Sequence, residues 1–334
     1  MKNKIVVNAR CFSRLFTGVE RCAHEISKRI QPSRIIQPNH PHDPITGNLW
    51  EQFVLPAQIQ RNEILWSPAN AGPWQVQNQV VTLHDASVFD HPEWFKPSFA
   101  AWTRLSWKIL AKRVKAVITV SSFSRDRLKT HLRIPAEKIH VIYNGVGKPF
   151  EPQPQTAIDQ VKRKYKINKP YILFVGTREP RKNLSTLAEA WKGLNSNTHM
   201  LFVAGAKGKV FASAMNDIKN SGYIQEQDLP ALYAGATAFV MPSFYEGFGL
   251  TALEAMACGT PVIASNRTAF PEILGEAALL VDPSNLAELS NALQKIIKDK
   301  RLAKQLHERG LAHAAKFSWD ETAQKTQSLL ENIQ

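Results

Sequence analysis

Residues 242–265 read PSFYEGFGLTALEAMACGTPVIAS, and this stretch decides both the class of fold and the expected site. Glu246 and Glu254 stand eight residues apart, and the stretch contains no Lys, Arg or His. A carboxylate that is removed from water needs a cation or hydrogen-bond donors. Each glutamate is therefore expected to find its partner elsewhere in the chain or on a ligand.

The surroundings of the two glutamates suit a nucleotide. The run TAFVMP (237–242) predicts a strand, and helix-forming residues resume at Leu250, so Glu246 lies on the connecting loop. The glycines of this loop allow close approach of the backbone to a ligand. The first turn of the following helix has unsatisfied N–H groups that can bind phosphate. Glu254, about a turn further on, can accept hydrogen bonds from a ribose diol. The alternative is a capped helix with two solvated glutamates.

Short apolar runs alternate with amphipathic stretches along the chain, a pattern typical of parallel sheets covered by helices on both faces. The predicted strands are KIVVNA (4–9), VVTLHD (80–85), AVITVS (116–121), YILFVG (171–176), HMLFVAG (199–205), TAFVMP (237–242) and PVIAS (261–265). The proline-rich segment KPFEPQPQTA interrupts the pattern at 148–157. The sequence therefore predicts an α/β fold with two doubly wound, Rossmann-like parallel-sheet domains that face a central cleft.

Composition bounds the class of protein. The chain has 334 residues, 44% hydrophobic and 21% charged, which is enough for two globular domains. It lacks a run of about 18 apolar residues and a signal-peptide core, so we expect neither a spanning nor an exported protein. The three scattered cysteines, Cys11, Cys22 and Cys258, fit reduced thiols in a cytoplasm.

The formal net charge is +14, and residues 1–150 carry most of it, with 21 Lys and Arg against 10 Asp and Glu. A basic half indicates an anionic partner: an acidic lipid, a phosphate-bearing substrate or a nucleic acid. The charge is diffuse and no nucleic-acid-binding motif accompanies it, so no nucleic acid is expected.

The segment PSFAAWTRLSWKILAKRVK (97–115) is expected to form a helix with a basic stripe and a broad arc of aromatic and aliphatic residues. The stripe comprises Arg104, Lys108, Lys112 and Lys115. This pattern is typical of peripheral binding to an anionic membrane surface. A core helix with an exposed basic side is the alternative.

The opening stretch resembles the E-x7-E signature of family 4 glycosyltransferases, which are retaining enzymes of the two-domain GT-B architecture. The similarity continues in register over nearly the whole chain, in TGVERCAHEI at 17, WEQFVLP at 50, VVTLHD at 80, VSSFSRDRL at 120, VIYNGV at 141, GTREPRKNLSTLAEAW at 176, GYIQEQDLPALYAGATAFVMPS at 222 and PEILGEAALLVDP at 271. It implies an acceptor-side domain over residues 1–150, a nucleotide-sugar donor domain over 151–316, and a final helix over 317–334 that crosses back to the first domain.

The resemblance implies roles for residues of the second domain. Glu254 is expected on the ribose, and Glu246 near the donor sugar and its phosphate. The amides expected at the diphosphate are those of Phe248, Gly249 and Leu250. Tyr223 and Ile224 correspond to the segment that lies against the base.

A diphosphate leaving group needs positive charge in the transition state. Relatives commonly supply a Gly-Arg pair and a Lys a few residues on. Lys182 matches the Lys, whereas Thr177 occupies the usual Arg position. Arg181 is the expected replacement, and Arg178 is the alternative.

In the first domain the resemblance places His84, at the end of a predicted strand, beside the donor sugar and the acceptor. It is expected to donate a hydrogen bond there or to accept the acceptor proton; a purely structural histidine is the alternative. Asp85 either orients His84 or caps the strand end. Gly18 is expected in the first strand–helix loop, close to the donor diphosphate or the acceptor; an ordinary glycine turn is the alternative.

The predicted function is retaining transfer of a sugar from a nucleotide-diphosphate donor to a hydroxyl of a lipid-linked or polysaccharide glycan acceptor. Mannosyl transfer from a guanosine donor in bacterial surface polysaccharide synthesis is favoured, while GDP-, UDP- and ADP-sugars all stay open. The alternatives are a nucleotide-sugar epimerase of the same architecture and a basic nucleic-acid-binding protein. We expect a cytoplasmic protein, peripheral on the inner face of the membrane in the membrane-binding interpretation.

No cofactor beyond the donor and no metal is expected. The segment NHPHDP (39–44) brings His and Asp close together in sequence, but prolines bracket it and we interpret it as a loop.

Overall fold

The computed structural model describes residues 4–13, 17–38, 44–177, 179–194, 197–205 and 218–333. Arg178 and most of the NHPHDP segment lie outside the described residues, so the interpretations placed on them stay predictions. The chain divides into a first unit, residues 1–145 and 318–334, and a second unit, residues 146–317.

The first unit contains a six-stranded parallel sheet with the order β2-β1-β3-β4-β5-β6. Its strands are β1 (Lys4–Asn8), β2 (Arg34–Ile36), β3 (Glu63–Ser67), β4 (Gln79–Thr82), β5 (Ala116–Thr119) and β6 (Ile139–Val141). Its helices before the unit boundary are α1 (Gly18–Ser27), α2 (Pro44–Leu49), α3 (Ser87–Asp90), α4 (Pro97–Arg113) and α5 (Ser122–Leu132), and a single π-helical turn covers Trp50–Val54.

Helices on both faces bury the central strands of this sheet. Every residue of β3, β4 and β5 is buried. On one face Val81 and Val117 pack with Trp107 and Leu110 of α4. Because both faces are covered, the apolar residues of these strands are consecutive and do not alternate with polar ones.

The second unit contains another six-stranded parallel sheet, with the order β12-β11-β10-β7-β8-β9. The strands are β7 (Tyr171–Val175), β8 (Met200–Ala204), β9 (Ile218–Gly222), β10 (Ala238–Met241), β11 (Val262–Ser265) and β12 (Leu279–Val281). The helices are α6 (Gln155–Lys164), α7 (Leu184–Gly193), α8 (Leu229–Ala234), α9 (Leu250–Ala257), α10 (Phe270–Leu274), α11 (Leu286–Lys298) and α12 (Lys300–Ala314).

This strand order positions the candidate site. The strands β7, β10, β11 and β12 are neighbours, so the loops that follow them emerge along one edge of the sheet. A core cluster that includes Phe174, Leu187, Val240, Ile263 and Leu293 fixes the strands beneath. The carboxyl edge of such a sheet is the usual place for ligands.

The last helix, α13 (Trp319–Asn332), packs against α1 and β1 of the first unit. The Thr322 hydroxyl donates to the Tyr143 carbonyl at 2.8 Å. Gly145 lies so close to this helix that a Cβ there would be 2.1 Å from the Trp319 nitrogen.

The predicted α/β class with two doubly wound parallel sheets is confirmed. All seven predicted strands are present within one to three residues of the expected ends. The strand expected over 80–85 ends at Thr82, so His84 follows it by two residues. The strands β2, β3, β6, β9 and β12 are not among those seven apolar runs.

Candidate functional site

The loop between β10 and α9 carries Glu246, where the apolar pattern predicts it. Gly249 caps the helix with φ +92°, in the left-handed region that favours glycine. A Cβ at this position would be 2.6 Å from the Phe270 ring. The loop therefore requires glycine at 249 for both its backbone conformation and its packing.

Glu246 lies in a buried cluster with two cations from the loop after β7. The Lys182 ammonium is 2.6 Å from Glu246 Oε1, and an Arg181 guanidinium nitrogen is 3.4 Å from the same oxygen. Lys182 is 8% exposed and Glu246 7% exposed. The Phe244 N–H donates to the Arg181 carbonyl at 2.7 Å, so the two loops are also joined through their backbones. The partner that the glutamate lacks in its own stretch is supplied from 64 residues away.

The electrostatics of this cluster follow from burial and pairing. Burial raises the pKa of Glu246, but Lys182 and Arg181 lower it by more, so its pKa lies below the usual value. Burial and the neighbouring Arg181 lower the pKa of Lys182, against the opposing charge of Glu246. Arg181 also pairs with Glu179 at 2.5 Å. An incoming anion would thus compete with these carboxylates for cations already in place.

Glu254 lies deeper than Glu246, and is 2% exposed. The Tyr233 hydroxyl donates to Glu254 Oε2 at 3.3 Å. Burial, with the charge of Glu254 adding to it, raises the pKa of Cys258 at the end of α9. The interpretation of both carboxylates as solvated groups on a capped helix is wrong, because both are buried.

The two positions expected against a base differ in exposure. Gly222 ends β9 with φ +72°, and Tyr223 follows it with 66% of its surface exposed. Ile224 is 5% exposed. The Tyr223 ring is therefore accessible to a stacking partner, whereas the Ile224 side chain is buried in the second unit.

Phe248 and Leu250 flank Gly249 at the start of α9. The Phe248 side chain is 4% exposed and its ring meets that of Phe317 edge-on, with 6.0 Å between centroids. Leu250 is half-buried. These side chains pack against the unit, so any role toward an anion belongs to the backbone N–H groups of this turn.

His84 is a buried residue of the first unit. Its Nε2 is 2.9 Å from the Pro68 carbonyl, which can only accept, so Nε2 carries the proton. Burial lowers the pKa of His84. The Pro68 carbonyl and the charges of Asp85 and Glu20 raise this pKa by less, so it lies below the usual value. The ring is consequently neutral at pH 7, with Nδ1 as its acceptor nitrogen.

The Asp85 carboxylate binds at the start of α3 and not at the end of β4, which is Thr82, so the predicted strand-end cap is wrong. Its Oδ1 accepts from the Ser87 N–H at 2.8 Å and from the Ser87 hydroxyl at 2.6 Å, at the start of α3. Gly18 is the first residue of α1, and does not lie in the preceding loop. Glu20 reaches back to the Thr17 N–H at 3.2 Å, a reciprocal cap for that helix start.

The helix α4 differs from the predicted division into a basic side and an apolar arc. Trp107 and Leu110 are buried in the core. Phe99, Trp102 and Leu105 are 53%, 42% and 54% exposed. Large apolar side chains therefore share the solvent face of α4 with its lysines, which a core helix with only a basic outer side would not show.

Two polar features were missing from the prediction. Thr268, after β11, accepts the Glu246 N–H at 3.2 Å, and no local pattern of residues signals this contact. In the first unit, Glu51 of the π-helical turn binds Arg10 at 2.6 Å and Asn8 at 2.8 Å. The WEQFVLP motif contains that glutamate, but its partners lie at the end of β1 and just after it, more than 40 residues away.

Within the described residues, no three or more His, Cys, Asp and Glu side chains gather as a group that could hold a metal ion. No helix in the described part of the chain combines the length and apolar character needed to span a bilayer.

Family models match most of the chain. The model of glycosyl transferases group 1 matches residues 157–313, and the model of glycosyltransferase family 4 matches residues 38–147. The first match covers the Lys182 and Glu246 loops, and the second covers His84.

Individual proteins are similar to this chain over about three quarters of its length or more. O-antigen chain mannosyltransferase B of Escherichia coli is 34% identical over 76% of this chain and 70% of its own length. The serotype-specific mannosyltransferase WbdA of Escherichia coli is 27% identical over 77% of this chain, which spans only 33% of that longer protein. The structure of Anabaena Alr3699/HepE in complex with UDP and glucose has a TM-score of 0.77, with 18% identity, over 98% of this chain and 99% of that chain. At that identity the last comparison concerns the fold alone.

Proposed function

This chain belongs to the family 4 glycosyltransferases, and from that premise we propose that it transfers mannose from a nucleotide-diphosphate donor to a glycan hydroxyl in bacterial surface polysaccharide synthesis. The observation that carries the proposal is the buried Lys182–Glu246 pair with Arg181 beside it, at the carboxyl edge of the second sheet. The mannosyl assignment is supported by the two mannosyltransferases named above.

In this proposal the second unit binds the donor. Its bounds, residues 146–317, are close to those of the predicted donor domain, 151–316. The backbone N–H groups of Phe248, Gly249 and Leu250 bind the diphosphate at the start of α9. Lys182 and Arg181 stabilise the negative charge that develops on the leaving diphosphate. Glu246 holds both cations in place and lies near the donor sugar.

The nucleoside end of the donor is assigned to Tyr223 and Glu254. Tyr223 stacks on the base, for which its exposed ring is suited, and Ile224 supports the same segment. Glu254 accepts hydrogen bonds from the ribose, which requires the ribose to reach a carboxylate that now accepts from Tyr233. The solved Anabaena structures are complexes with UDP and glucose and with UDP-glucose. For this chain we propose a guanosine-diphosphate mannose donor.

The first unit, with the closing helix α13, is assigned to the acceptor. The neutral His84 ring presents Nδ1 as a hydrogen-bond acceptor that orients the attacking hydroxyl, because Nε2–H is engaged with Pro68. Gly18, at the start of α1, allows close approach of a ligand to the backbone.

We assign retention of configuration to the reaction. The bond between the anomeric carbon and the donor phosphate oxygen breaks, and a bond to the acceptor oxygen forms on the same face of the sugar. The acceptor proton passes to the departing diphosphate. No cofactor or metal takes part in this proposal; the charge that a metal would supply comes from Lys182 and Arg181.

We also propose that α4 attaches the enzyme peripherally to an anionic leaflet from the cytoplasmic side. The exposed Phe99, Trp102 and Leu105 insert at the interface, and the lysines of the same face attract acidic headgroups. Flotation with vesicles containing anionic lipid tests this. Trp102→Ser with Leu105→Ser should reduce bound protein at least about tenfold, since each apolar side chain contributes roughly 1.5–3 kcal/mol when buried.

Transfer itself is tested with isotope-labelled GDP-, UDP- and ADP-sugars, a polyprenyl-linked glycan acceptor and product analysis. Sugar on the acceptor with retained anomeric configuration supports the proposal. An isomerised nucleotide sugar without acceptor glycosylation would establish the epimerase. If neither product forms, the protein would be shown to bind nucleotide sugars at most, and the proposed transfer would be wrong.

The substitutions Glu254→Gln and Lys182→Met separate nucleotide binding from the transfer step, and Tyr233→Phe is the control for the first. Glu254→Gln should raise the Kd of the nucleotide, whereas Tyr233→Phe, which removes only the tyrosine hydroxyl, should leave it close to that of the wild type. Lys182→Met should lower kcat by about 10²–10³, the usual effect of losing one charge-stabilising group. Equal Kd values for the wild type and Glu254→Gln would remove Glu254 from the ribose.

A further inference from the structure

Thr268 combines a strained backbone with a direct contact to the Glu246 loop. It follows β11, before α10, and has φ +60°. Of the five non-glycine residues with positive φ in the described part of the chain, it is the only one branched at Cβ. A β-branched residue in this region is an outlier, since Cβ crowds the neighbouring carbonyl. Such conformations persist only when the surroundings enforce them.

The hydroxyl of Thr268 is engaged on both sides. It donates to the Arg267 carbonyl at 2.7 Å and accepts the Glu246 N–H at 3.2 Å. Glu246 in turn holds the Lys182 ammonium at 2.6 Å. Two successive contacts, Thr268 hydroxyl to Glu246 N–H and Glu246 carboxylate to Lys182 ammonium, therefore connect the strained residue to the cation.

Neighbouring loops hold the segment in this conformation. The Arg267 guanidinium donates to Asp282 at 2.8 Å and to the Ser284 hydroxyl at 2.9 Å. The Asn183 amide, next to Lys182, donates to the Pro283 carbonyl at 2.7 Å. The loops after β7, β11 and β12 are thus connected by hydrogen bonds, and Thr268 connects them to the loop after β10.

We propose that Thr268 is a positioning residue: its strained conformation is retained because the hydroxyl fixes the backbone of Glu246, and through Glu246 the position of Lys182. This inference rests on the proposed function, in which Lys182 stabilises the leaving diphosphate. A turn that served only local folding could relieve the strain with glycine, at no cost to turnover.

Three variants separate the hydroxyl from the strain. Thr268→Ser keeps the hydroxyl, Thr268→Val keeps the branched shape without it, and Thr268→Gly removes the hydroxyl and the strain together. Arg133→Gly is the control, because Arg133 also has positive φ (+52°) but is exposed at the end of α5 in the first unit.

Turnover should follow the hydroxyl, whereas melting temperature should follow the strain. We expect kcat of the Val and Gly variants to fall at least about tenfold, with the donor KM within about threefold of the wild type, and the Ser variant to keep kcat within about threefold. The Gly variant should melt about 2–4 °C above the Val variant. The Glu246 amide should exchange with deuterium faster in both than in the Ser variant.

A Val variant with wild-type kcat, or kcat values that follow melting temperature across the series, would overturn the inference. The wild type and Arg133→Gly are assayed in parallel. If both transfer sugar while the Thr268 series shows no hydroxyl dependence, the inference alone fails. If the wild type transfers no sugar from any donor, the proposed function fails, and the inference fails with it.

Discussion

Lys182 and Glu246 depend on each other's charge because both are buried. We expect Glu246→Gln to lower the free energy of unfolding at pH 7 by about 3–5 kcal/mol, since it leaves a buried ammonium without its counter-charge. Urea denaturation measures this. Glu308→Gln, at an exposed position of α12, is the control and should change stability by less than about 0.5 kcal/mol.

The same pair predicts a pH dependence. The folded pKa of Glu246 lies below its ordinary value of 4.5. Its stabilising contribution is therefore complete above pH 4.5 and is lost as the pH falls through the folded pKa. The stability difference between the wild type and Glu246→Gln should shrink on acidification below pH 4.5. A difference that is the same at pH 7 and pH 3 would contradict the assignment.

Tyr223 allows a residue-scale test of base stacking. Tyr223→Ala should weaken nucleotide binding by about 1–3 kcal/mol, the usual loss when an aromatic platform for a base is removed. Its melting temperature should stay near that of the wild type, because the ring is 66% exposed. Tyr143→Ala, at a tyrosine 40% exposed in the first unit, is the matched control. Calorimetric titration with GDP and UDP distinguishes the two variants.

At the residue scale, sequence patterns identify only some of the residues of the candidate site and none of the contacts between them. Glu246 and Lys182 stand in recognisable motifs, so each could be singled out alone. Their pairing could not, because the two residues are 64 positions apart and are brought together by the order of the strands. Thr268 has no local signal, since its importance depends on a backbone angle and a neighbouring loop.

Among the elements, α13 is held by close packing at Gly145. A Cβ at this position would overlap the start of the helix, at 2.1 Å from the Trp319 nitrogen. Gly145→Ala should therefore destabilise the protein by about 1–3 kcal/mol. Gly147→Ala is the control, because a Cβ there has nothing within 4 Å. Thermal unfolding followed by tryptophan fluorescence compares them; equal melting temperatures would mean that the helix shifts at little cost.

The strands show which elements a sequence reveals. Buried runs such as those of β7 and β10 are continuously apolar and bounded by turn-favouring residues such as proline and glycine, so the apolar pattern reveals them. The edge strand β9 reads IKNSG, and none of its residues is fully buried, so it lacks the apolar signal. The three-residue strands β2, β6 and β12 are too short for any period to emerge. Edge and short strands form because neighbouring strands offer them hydrogen bonds, which is information outside the segment.

Over the whole molecule, two units with separate cores carry different proposed tasks, and hydrogen exchange can separate them. A donor nucleotide that binds the second unit should slow exchange at residues 179–184, 222–224 and 244–254, while the segments 8–13 and 84–87 of the first unit should exchange as in the free protein. At a hundred times its Kd the ligand contributes about 2.7 kcal/mol to the native state. Exchange of protected amides in the second unit should therefore slow by up to about a hundredfold when they exchange through unfolding of that unit.

The Lys182→Met variant should keep this exchange pattern at saturating nucleotide, because losing the ammonium affects turnover. Protection that appeared first at His84 and the segment after β1 would assign the donor to the other sheet, and the division of labour proposed for the two units would be reversed.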